Sequence, residues 1–153
     1  MLRKLLSTRH DCGMTVIRMV LGVVMFAHGS QKVLGWFGGS GFAATMSMFE
    51  NYLHIPAPFA LLSIAAEFLG GLGLLLGLLG RVAAFGIAMD MIVAAAKVHF
   101  ANGFFMNWSG NRRGEGIEYH LLAIGIAVAI MMNGSGSWSL DGLLSRNSDA
   151  AKV

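Results

Sequence analysis

Charged side chains are scarce in this chain of 153 residues, at 12% against about 25% in an ordinary soluble domain. So few charges cannot cover a water-exposed surface, and 56% of the residues are hydrophobic. The hydrophobic residues come in long blocks, which is typical of membrane spans rather than of a soluble core. The formal net charge of +3, without a run of Lys and Arg, argues against a nucleic-acid-binding face.

Cysteine is almost absent, because Cys12 is the single copy. One cysteine excludes an internal disulfide and a CxxC redox pair, so any thiol chemistry has to come from another protein. A cysteine beside a membrane entry can be acylated, but an unmodified thiol is the interpretation that we favour. Proline is also scarce, and Pro56 and Pro58 fall together, where they suit the start of a helix.

Four apolar segments are predicted to cross the membrane as helices, three of about 20 residues and a shorter last one. They cover residues 14–34, 57–79, 82–101 and 117–133. The sequence therefore predicts an all-α, membrane-embedded bundle of four transmembrane helices, folded as one domain over residues 1–153. The polar residues 142–153 are expected to form a loosely ordered tail.

The first long connection, residues 35–57, is too polar and too broken to span. Ser40 is a candidate N-cap for a short helix in it. Apolar residues recur there every three or four positions, at Phe42, Met46, Phe49 and Leu53. This pattern predicts an amphipathic helix that lies on the membrane surface or folds as a lid over the bundle.

Basic residues are biased to one side of this arrangement. Four spans place both termini on the same side, which collects most basic side chains: Arg3, Lys4, Arg9, Arg81, Arg146 and Lys152. The opposite connections hold mainly Arg112 and Arg113. The positive-inside rule therefore predicts that both termini are cytoplasmic and that the two longer connections face outward.

Ionisable side chains inside or at the rim of the spans are the candidate functional residues, because charge is costly in hydrocarbon. A rise of about 1.5 Å per residue places most of them in the outward half of the bundle. The candidates for a polar pocket are His28, Lys32, Glu67, Glu118 and His120. The secondary candidates are Arg18, Asp90, Lys97 and His99.

Helical angles limit which of these side chains can face one pocket. At about 100° per residue, His120 points nearly opposite Glu118, so one of the two is expected to cap the helix or line the loop. Asp90 and Lys97 are seven residues apart and are expected to share a face. Of Lys97 and His99, one is expected to reach the membrane interface.

A purely structural role is the alternative for these side chains. We favour it for Arg18 and Asp90, as bonds that hold the helices in register, whereas for the pocket candidates both roles stay open. Three histidines, His28, His99 and His120, invite a haem or metal site. No spacing specifies facing ligands at matched depth, so no metal site is expected.

Short motifs follow one another along most of the chain. They are Arg18-x-x-x-Gly22, Phe26-x-His28-Gly29-x-x-Lys32, Glu67 followed by Gly70-Gly71, Gly77-x-x-x-Arg81, and Glu118-Tyr119-His120-Leu121-Leu122 followed by Gly134-x-Gly136-x-x-Ser139-Leu140-Asp141. This ordered set, over residues 18–141, resembles the DoxX family. The resemblance implies a four-helix, multi-pass protein of the bacterial inner membrane.

The resemblance also implies a subunit in quinone-linked redox or oxidative-stress metabolism, similar to subunits of quinol oxidase and thiosulfate:quinone oxidoreductase complexes. The pocket candidates would then hold a quinone or a small sulfur substrate, with quinone as the candidate cofactor. An autonomous enzyme is not expected. One alternative is a non-catalytic scaffold that recruits soluble oxidoreductases. A small-solute transporter is another, although no repeat is visible. The lipid bilayer is the expected surrounding, and a homo-oligomer stays open.

Overall fold

The computed structural model describes residues 6–8 and 11–150, of which residues 146–150 are described through the backbone only. The fold is all-α, with no strand in this part of the chain. The helices, in chain order, are α1 (Cys12–Leu34), α2 (Gly41–Ser47), α3 (Ala57–Leu76), α4 (Gly80–Asn102), α5 (Glu118–Asn133) and α6 (Leu140–Ala150).

Three helices, α1, α3 and α4, are long and apolar enough to cross a membrane. Many of their large apolar side chains are exposed, such as Phe59, Leu62 and Phe85. Lipid is the solvent that suits such surfaces. The fourth predicted span corresponds to α5, whose 16 residues extend about 24 Å, less than the roughly 30 Å of a bilayer core. Three spans are thus confirmed by length and composition, and the fourth stays a prediction.

The connection between α3 and α4 is a tight hairpin over residues 77–79. Gly77 ends α3 in the left-handed conformation, with φ of 64°, and its amide bonds the carbonyls of Gly73 and Leu74. Leu79 also has a positive φ, of 50°, immediately before α4. The predicted second span, 57–79, therefore ends three residues early, because these residues turn the chain.

Small residues bring α1 and α3 into close contact. A Cβ added to Gly29 would overlap the backbone of Phe68, and one added to Gly71 would overlap the backbone of Phe26. Small residues allow such approach between membrane helices, where no hydrophobic effect drives association. The glycine-rich sequence of α3 therefore serves packing within the chain.

The predicted amphipathic segment is a lid. It consists of α2 and a following π turn, Met48–Tyr52. Phe49 is buried against Ala60 and Ile64 of α3, so the segment folds over the bundle. Ser40 occupies the expected N-cap position of α2, but its side chain makes no capping hydrogen bond.

Part of the expected tail, residues 142–153, belongs to a helix that the sequence did not predict, α6 (Leu140–Ala150), and residues 151–153 lie outside the described residues. Ser139 supports the start of this helix, because its hydroxyl accepts a hydrogen bond from the Gly142 amide at 3.2 Å. The Asp141 amide bonds the Gly77 carbonyl at 2.9 Å, which anchors α6 to the hairpin. A long-range contact thus orders residues that look like a polar tail.

The bundle has two ends, to which we refer below. The hairpin end comprises the start of α1, the 77–79 hairpin and residues 134–141, which the Asp141–Gly77 bond brings together. The loop end comprises the connections 35–56 and 103–117. Of the basic residues behind the predicted topology, Arg3, Lys4, Arg9 and Lys152 lie outside the described residues.

Candidate functional site

An ion pair between Lys32 and Glu67 joins α1 to α3. The Lys32 side chain is 25% exposed, whereas that of Glu67 is only 5% exposed. The contact depends on Gly29, one turn earlier, whose missing Cβ lets α1 approach the backbone of Glu67 and Phe68. The Lys32 ammonium also lies 5.9 Å from the centre of the Phe49 ring, beneath the lid.

Asp90 of α4 is a second buried carboxylate beside this pair. Its Oδ1 accepts a hydrogen bond from the Ser63 hydroxyl at 2.5 Å, which joins α4 to α3. Its carboxyl group neighbours that of Glu67. Three of the candidates, Lys32, Glu67 and Asp90, therefore meet in the interior where α1, α3 and α4 pack together.

Aromatic rings continue this cluster towards the loop end. The rings of His99 and His120 have centres 4.2 Å apart, and that of Tyr119 is 5.5 Å from His120. His28, which is an exposed side chain, lies with its ring centre 6.1 Å from Tyr119. Tyr119 therefore links His28 to the His99–His120 pair, although the sequence did not single it out as a candidate.

Unpartnered polar atoms are concentrated in this half of the bundle. Among the described residues, three buried side-chain atoms have no hydrogen-bond partner: Ser30 Oγ, Tyr119 Oη and His120 Nδ1. Most buried polar groups in proteins are hydrogen-bonded, so each exception requires an explanation. At a functional site, a buried polar atom without a partner can be explained by the binding of a further molecule.

Glu118 and His120 take different positions, as their helical angles require. His120 is 5% exposed and lies inside, against His99. Glu118 turns to the loop, where its Oε2 accepts a hydrogen bond from the Met106 amide at 3.1 Å. His99 Nδ1 lies 2.9 Å from the Glu115 carbonyl oxygen. The loop 103–117 is therefore bonded by a side chain of α4, His99, and by a side chain of α5, Glu118.

Lys97 lies apart from the cluster. The prediction that it shares a face with Asp90 is wrong, because Lys97 is exposed whereas Asp90 is buried. The cause is the π turn Ala95–His99, whose wider turn changes the angle of the residues that follow Asp90. The same turn carries His99 towards His120.

Arg18 belongs to the hairpin end. Its side chain is 1% exposed, and its guanidinium donates hydrogen bonds to four backbone carbonyls: Leu74, Leu75 at 3.0 Å, Ser135 at 2.7 Å and Trp138 at 3.2 Å. The first two belong to the last turn of α3, where not every carbonyl finds an amide within the helix, although the Leu74 carbonyl also accepts a hydrogen bond from the Gly77 amide. Arg18 therefore ties together three distant segments.

Asp141 completes the hairpin end, and its role was missed by sequence reasoning. Its carboxylate accepts hydrogen bonds from the amides of Leu79 at 2.7 Å and Gly80 at 2.9 Å, and from the Ser135 hydroxyl at 2.6 Å. The amides are those of the start of α4, which have no helical acceptor. The motif that ends at Asp141 was a signal in the sequence, but the partners of this residue, Leu79 and Gly80, lie 62 and 61 residues away.

Two surface cavities lie at the hairpin end, of about 480 and about 520 Å³. Trp138 lines both, Cys12 the first and Arg18 the second. They are distant from the Lys32–Glu67 pair. As for metal ligands, no three His, Cys, Asp or Glu side chains are grouped to hold an ion within the described ranges.

The all-α fold with its apolar helices defines a multi-pass membrane protein. The family model of DoxX matches residues 13–100, which is more than half of the chain, and the protein belongs to the DoxX family. No curated protein and no solved structure matched the chain. The match includes His28, Lys32, Glu67 and Asp90, whereas the motif that begins at Glu118 lies beyond it.

Proposed function

We propose that this protein is a membrane subunit in quinone-linked redox metabolism. Its loop-end cluster would bind a quinone or a small sulfur substrate. This cluster consists of Lys32, Glu67 and Asp90 together with the rings of His28, His99, Tyr119 and His120. The observation that carries the proposal is the buried Lys32–Glu67 pair with Asp90 beside it, next to polar atoms that lack partners. Ionisable groups are costly within a bilayer, and those that occur there usually serve a site.

The placement of the cluster favours binding over helix packing. Packing in this region already has glycine contacts at Gly29 and Gly71, which need no charge. A structural polar contact could also use Ser or Thr, whose burial costs less than that of an ion pair. His120 and Tyr119 each keep a buried polar atom available for a ligand.

The site is expected to open at the loop end. Lys32 is partly exposed there, under the lid that Phe49 anchors. At the opposite end, the buried Arg18 bonds the carbonyls of Leu75 and Ser135, and the buried Asp141 bonds the amide of Leu79 in the hairpin. A site that is open on one side suits binding of a membrane-soluble molecule better than passage of a solute through the bundle.

We further propose that α5 crosses the membrane and that both ends of the described chain are cytoplasmic in a bacterial inner membrane. The course of α5 supports this, because Glu118 bonds the 103–117 loop while Ser135, just beyond α5, bonds Arg18 at the hairpin end. Arg81 lies at the hairpin end too, where it bonds the Met132 carbonyl at 3.1 Å. Positive charge on that side agrees with a cytoplasmic location.

Labelling of single cysteines tests this topology. Cys12 is exposed at the hairpin end, and Ser109 is exposed in the loop 103–117. In intact cells, a membrane-impermeant maleimide is expected to label the C12S/S109C double variant and to leave the wild-type Cys12 unlabelled until the membrane is permeabilised. Labelling of both from outside would contradict the proposal.

Binding of ubiquinone-1 to the purified protein in lipid nanodiscs tests the site. We expect Glu67→Gln and Lys32→Gln each to weaken binding, because each removes one charge of the buried pair. Glu50→Gln is the matched control, since Glu50 is an exposed acid on the lid. If wild-type protein binds neither ubiquinone-1 nor sulfide and thiosulfate, the proposed function is wrong.

A scaffold is the second candidate, favoured by exposed aromatic side chains at the loop end. Trp108 is 88% exposed, Tyr52 79% and Phe37 70%. Such residues anchor membrane interfaces but also dominate protein contacts. A photocrosslinker at position 108 that captures a specific oxidoreductase, in a strain where Glu67→Gln is without phenotype, would favour the scaffold.

A further inference from the structure

We infer that Tyr119 is a further ligand-binding residue of the loop-end site, whose hydroxyl forms a hydrogen bond with an oxygen atom of the bound molecule. This inference rests on the proposed function, because it assigns a contact within the same site. Tyr119 is the second residue of α5, next to His120.

The position of Tyr119 links the two parts of the site. Its ring centre is 6.1 Å from that of His28 and 5.5 Å from that of His120. Its hydroxyl is within electrostatic range of the Glu67 and Asp90 carboxylates. A molecule that contacts this hydroxyl would therefore lie beside both the aromatic cluster and the buried ion pair.

The Tyr119 hydroxyl is buried and has no hydrogen-bond partner. It bonds neither nearby carboxylate, and the contacts observed there join Glu67 to Lys32 and Asp90 to Ser63. A buried hydroxyl without a partner destabilises the folded protein, and a phenylalanine would fill the same space without this cost. A ligand oxygen would satisfy the hydroxyl and account for a tyrosine at this position.

The surroundings restrict the chemistry of the ligand. The Tyr119 hydroxyl can donate or accept a hydrogen bond, and His120 Nδ1, also unpartnered, can do either according to its tautomer. Carbonyl and hydroxyl oxygens are suitable partners for both. The neighbouring rings favour a flat headgroup. The class is therefore a lipid-soluble molecule with a flat headgroup that carries oxygen atoms.

The test compares Tyr119→Phe with Tyr52→Phe in the full-length protein, using ubiquinone-1 in nanodiscs. Tyr52, the other tyrosine of the chain, is 79% exposed and serves as the matched control. Loss of one hydrogen bond is expected to weaken binding about five- to tenfold in Tyr119→Phe, whereas Tyr52→Phe binds as the wild type does. Without ligand, Tyr119→Phe is expected to melt at the wild-type temperature or above it.

Each of three results would overturn the inference. If Tyr119→Phe binds as the wild type does while Glu67→Gln binds weakly, the hydroxyl meets only water, and the proposed function stands without it. If Tyr119→Phe lowers the melting temperature without ligand, the hydroxyl has a structural role. If the wild type does not bind ubiquinone-1 at all, the inference is wrong together with quinone binding, and this outcome is distinct from the other two.

A spectroscopic measurement separates a direct bond from an indirect effect. A hydrogen bond to a quinone carbonyl weakens the C=O bond, so its infrared band moves to lower wavenumber. We expect the band of bound ubiquinone-1 to move back towards its free position in Tyr119→Phe but not in Tyr52→Phe. A band at the same position in all three proteins would contradict the direct contact.

Discussion

The two ends of the bundle bury polar groups in opposite ways. At the hairpin end, Arg18 has four carbonyl acceptors, and Asp141 accepts three hydrogen bonds. In the loop-end half, Ser30, Tyr119 and His120 each have a buried polar atom without a partner. Satisfied groups specify and stabilise a fold, whereas unsatisfied ones destabilise it. The hairpin end is therefore built for stability, whereas the unpartnered atoms of the loop-end half support the proposal that it contacts another molecule.

The largest effect is expected from Arg18→Leu, which would test the structural role of the hairpin end. The change leaves the carbonyls of Leu74, Leu75, Ser135 and Trp138 without their shared donor and Asp141 without a neighbouring cation. We expect the free energy of unfolding to fall by about 3–5 kcal/mol, measured by SDS titration in mixed micelles. Arg113→Leu, on an exposed loop position, is the control and should unfold as the wild type does.

Gly29→Ala is expected to have the next largest effect, and it tests the close packing of α1 on α3 in the loop-end half of the bundle. The added methyl group would overlap the backbone of Phe68 and Glu67, so α1 and α3 must separate. We expect a loss of about 1–3 kcal/mol in the same titration. Gly125→Ala is the matched control in α5, because a Cβ there meets open space. Equal stability of the two variants would show that close backbone packing does not hold the ion pair in place.

Asp141→Asn tests whether the hairpin end depends on a carboxylate. One carboxylate oxygen accepts from Leu79 and the other from Gly80 and Ser135, so in asparagine the NH2 group, which is a donor, would face one of these backbone amides. The expected loss of unfolding free energy is about 1–2 kcal/mol. Glu50→Gln, the same kind of change at an exposed position, should leave the unfolding midpoint where it is. A wild-type midpoint for Asp141→Asn would contradict the assignment.

The smallest effect on stability is expected from His120→Phe, although His120 is as deeply buried as many core residues. Its Nδ1 has no partner to lose, and phenylalanine keeps a ring against His99. We expect the unfolding free energy to change by less than about 1 kcal/mol, while ubiquinone-1 binding weakens. A loss of stability as large as that of Asp141→Asn would remove the contrast between the two ends.

The apolar segments were sufficient to predict the helical fold, since long runs of this kind are stable only as helices in lipid. They were not sufficient for α6. Its first turn depends on the Ser139 cap and on the Gly77 carbonyl, which the chain reaches only after folding. The same limit applies to Arg18. Its position in an apolar helix was visible, but carbonyl acceptors carry no sequence signal.

The candidate site was predictable in its residue types but only partly in its geometry. Buried charge identified Lys32 and Glu67, which the structure brings together. A regular angle of about 100° per residue gave a wrong face for Lys97, because a π turn has no clear signature in the sequence. Tyr119 was not predicted as a site residue, because tyrosines are common near the membrane surface and carry no signal of a binding site there. Only its unpartnered hydroxyl distinguishes it.

The bonds of Arg18 also have a consequence for the order in which α1 and its partners form during synthesis. The guanidinium is made early, whereas its acceptors at Leu75 and Ser135 follow 57 and 117 residues later. α1 therefore enters the membrane with a charge that has none of these partners, and a long arginine side chain can meet this by reaching to the nearby interface. We expect the helix to become fully embedded only when residues 135–138 arrive. Complete insertion of α1 would then depend on a segment that is synthesised more than 100 residues later.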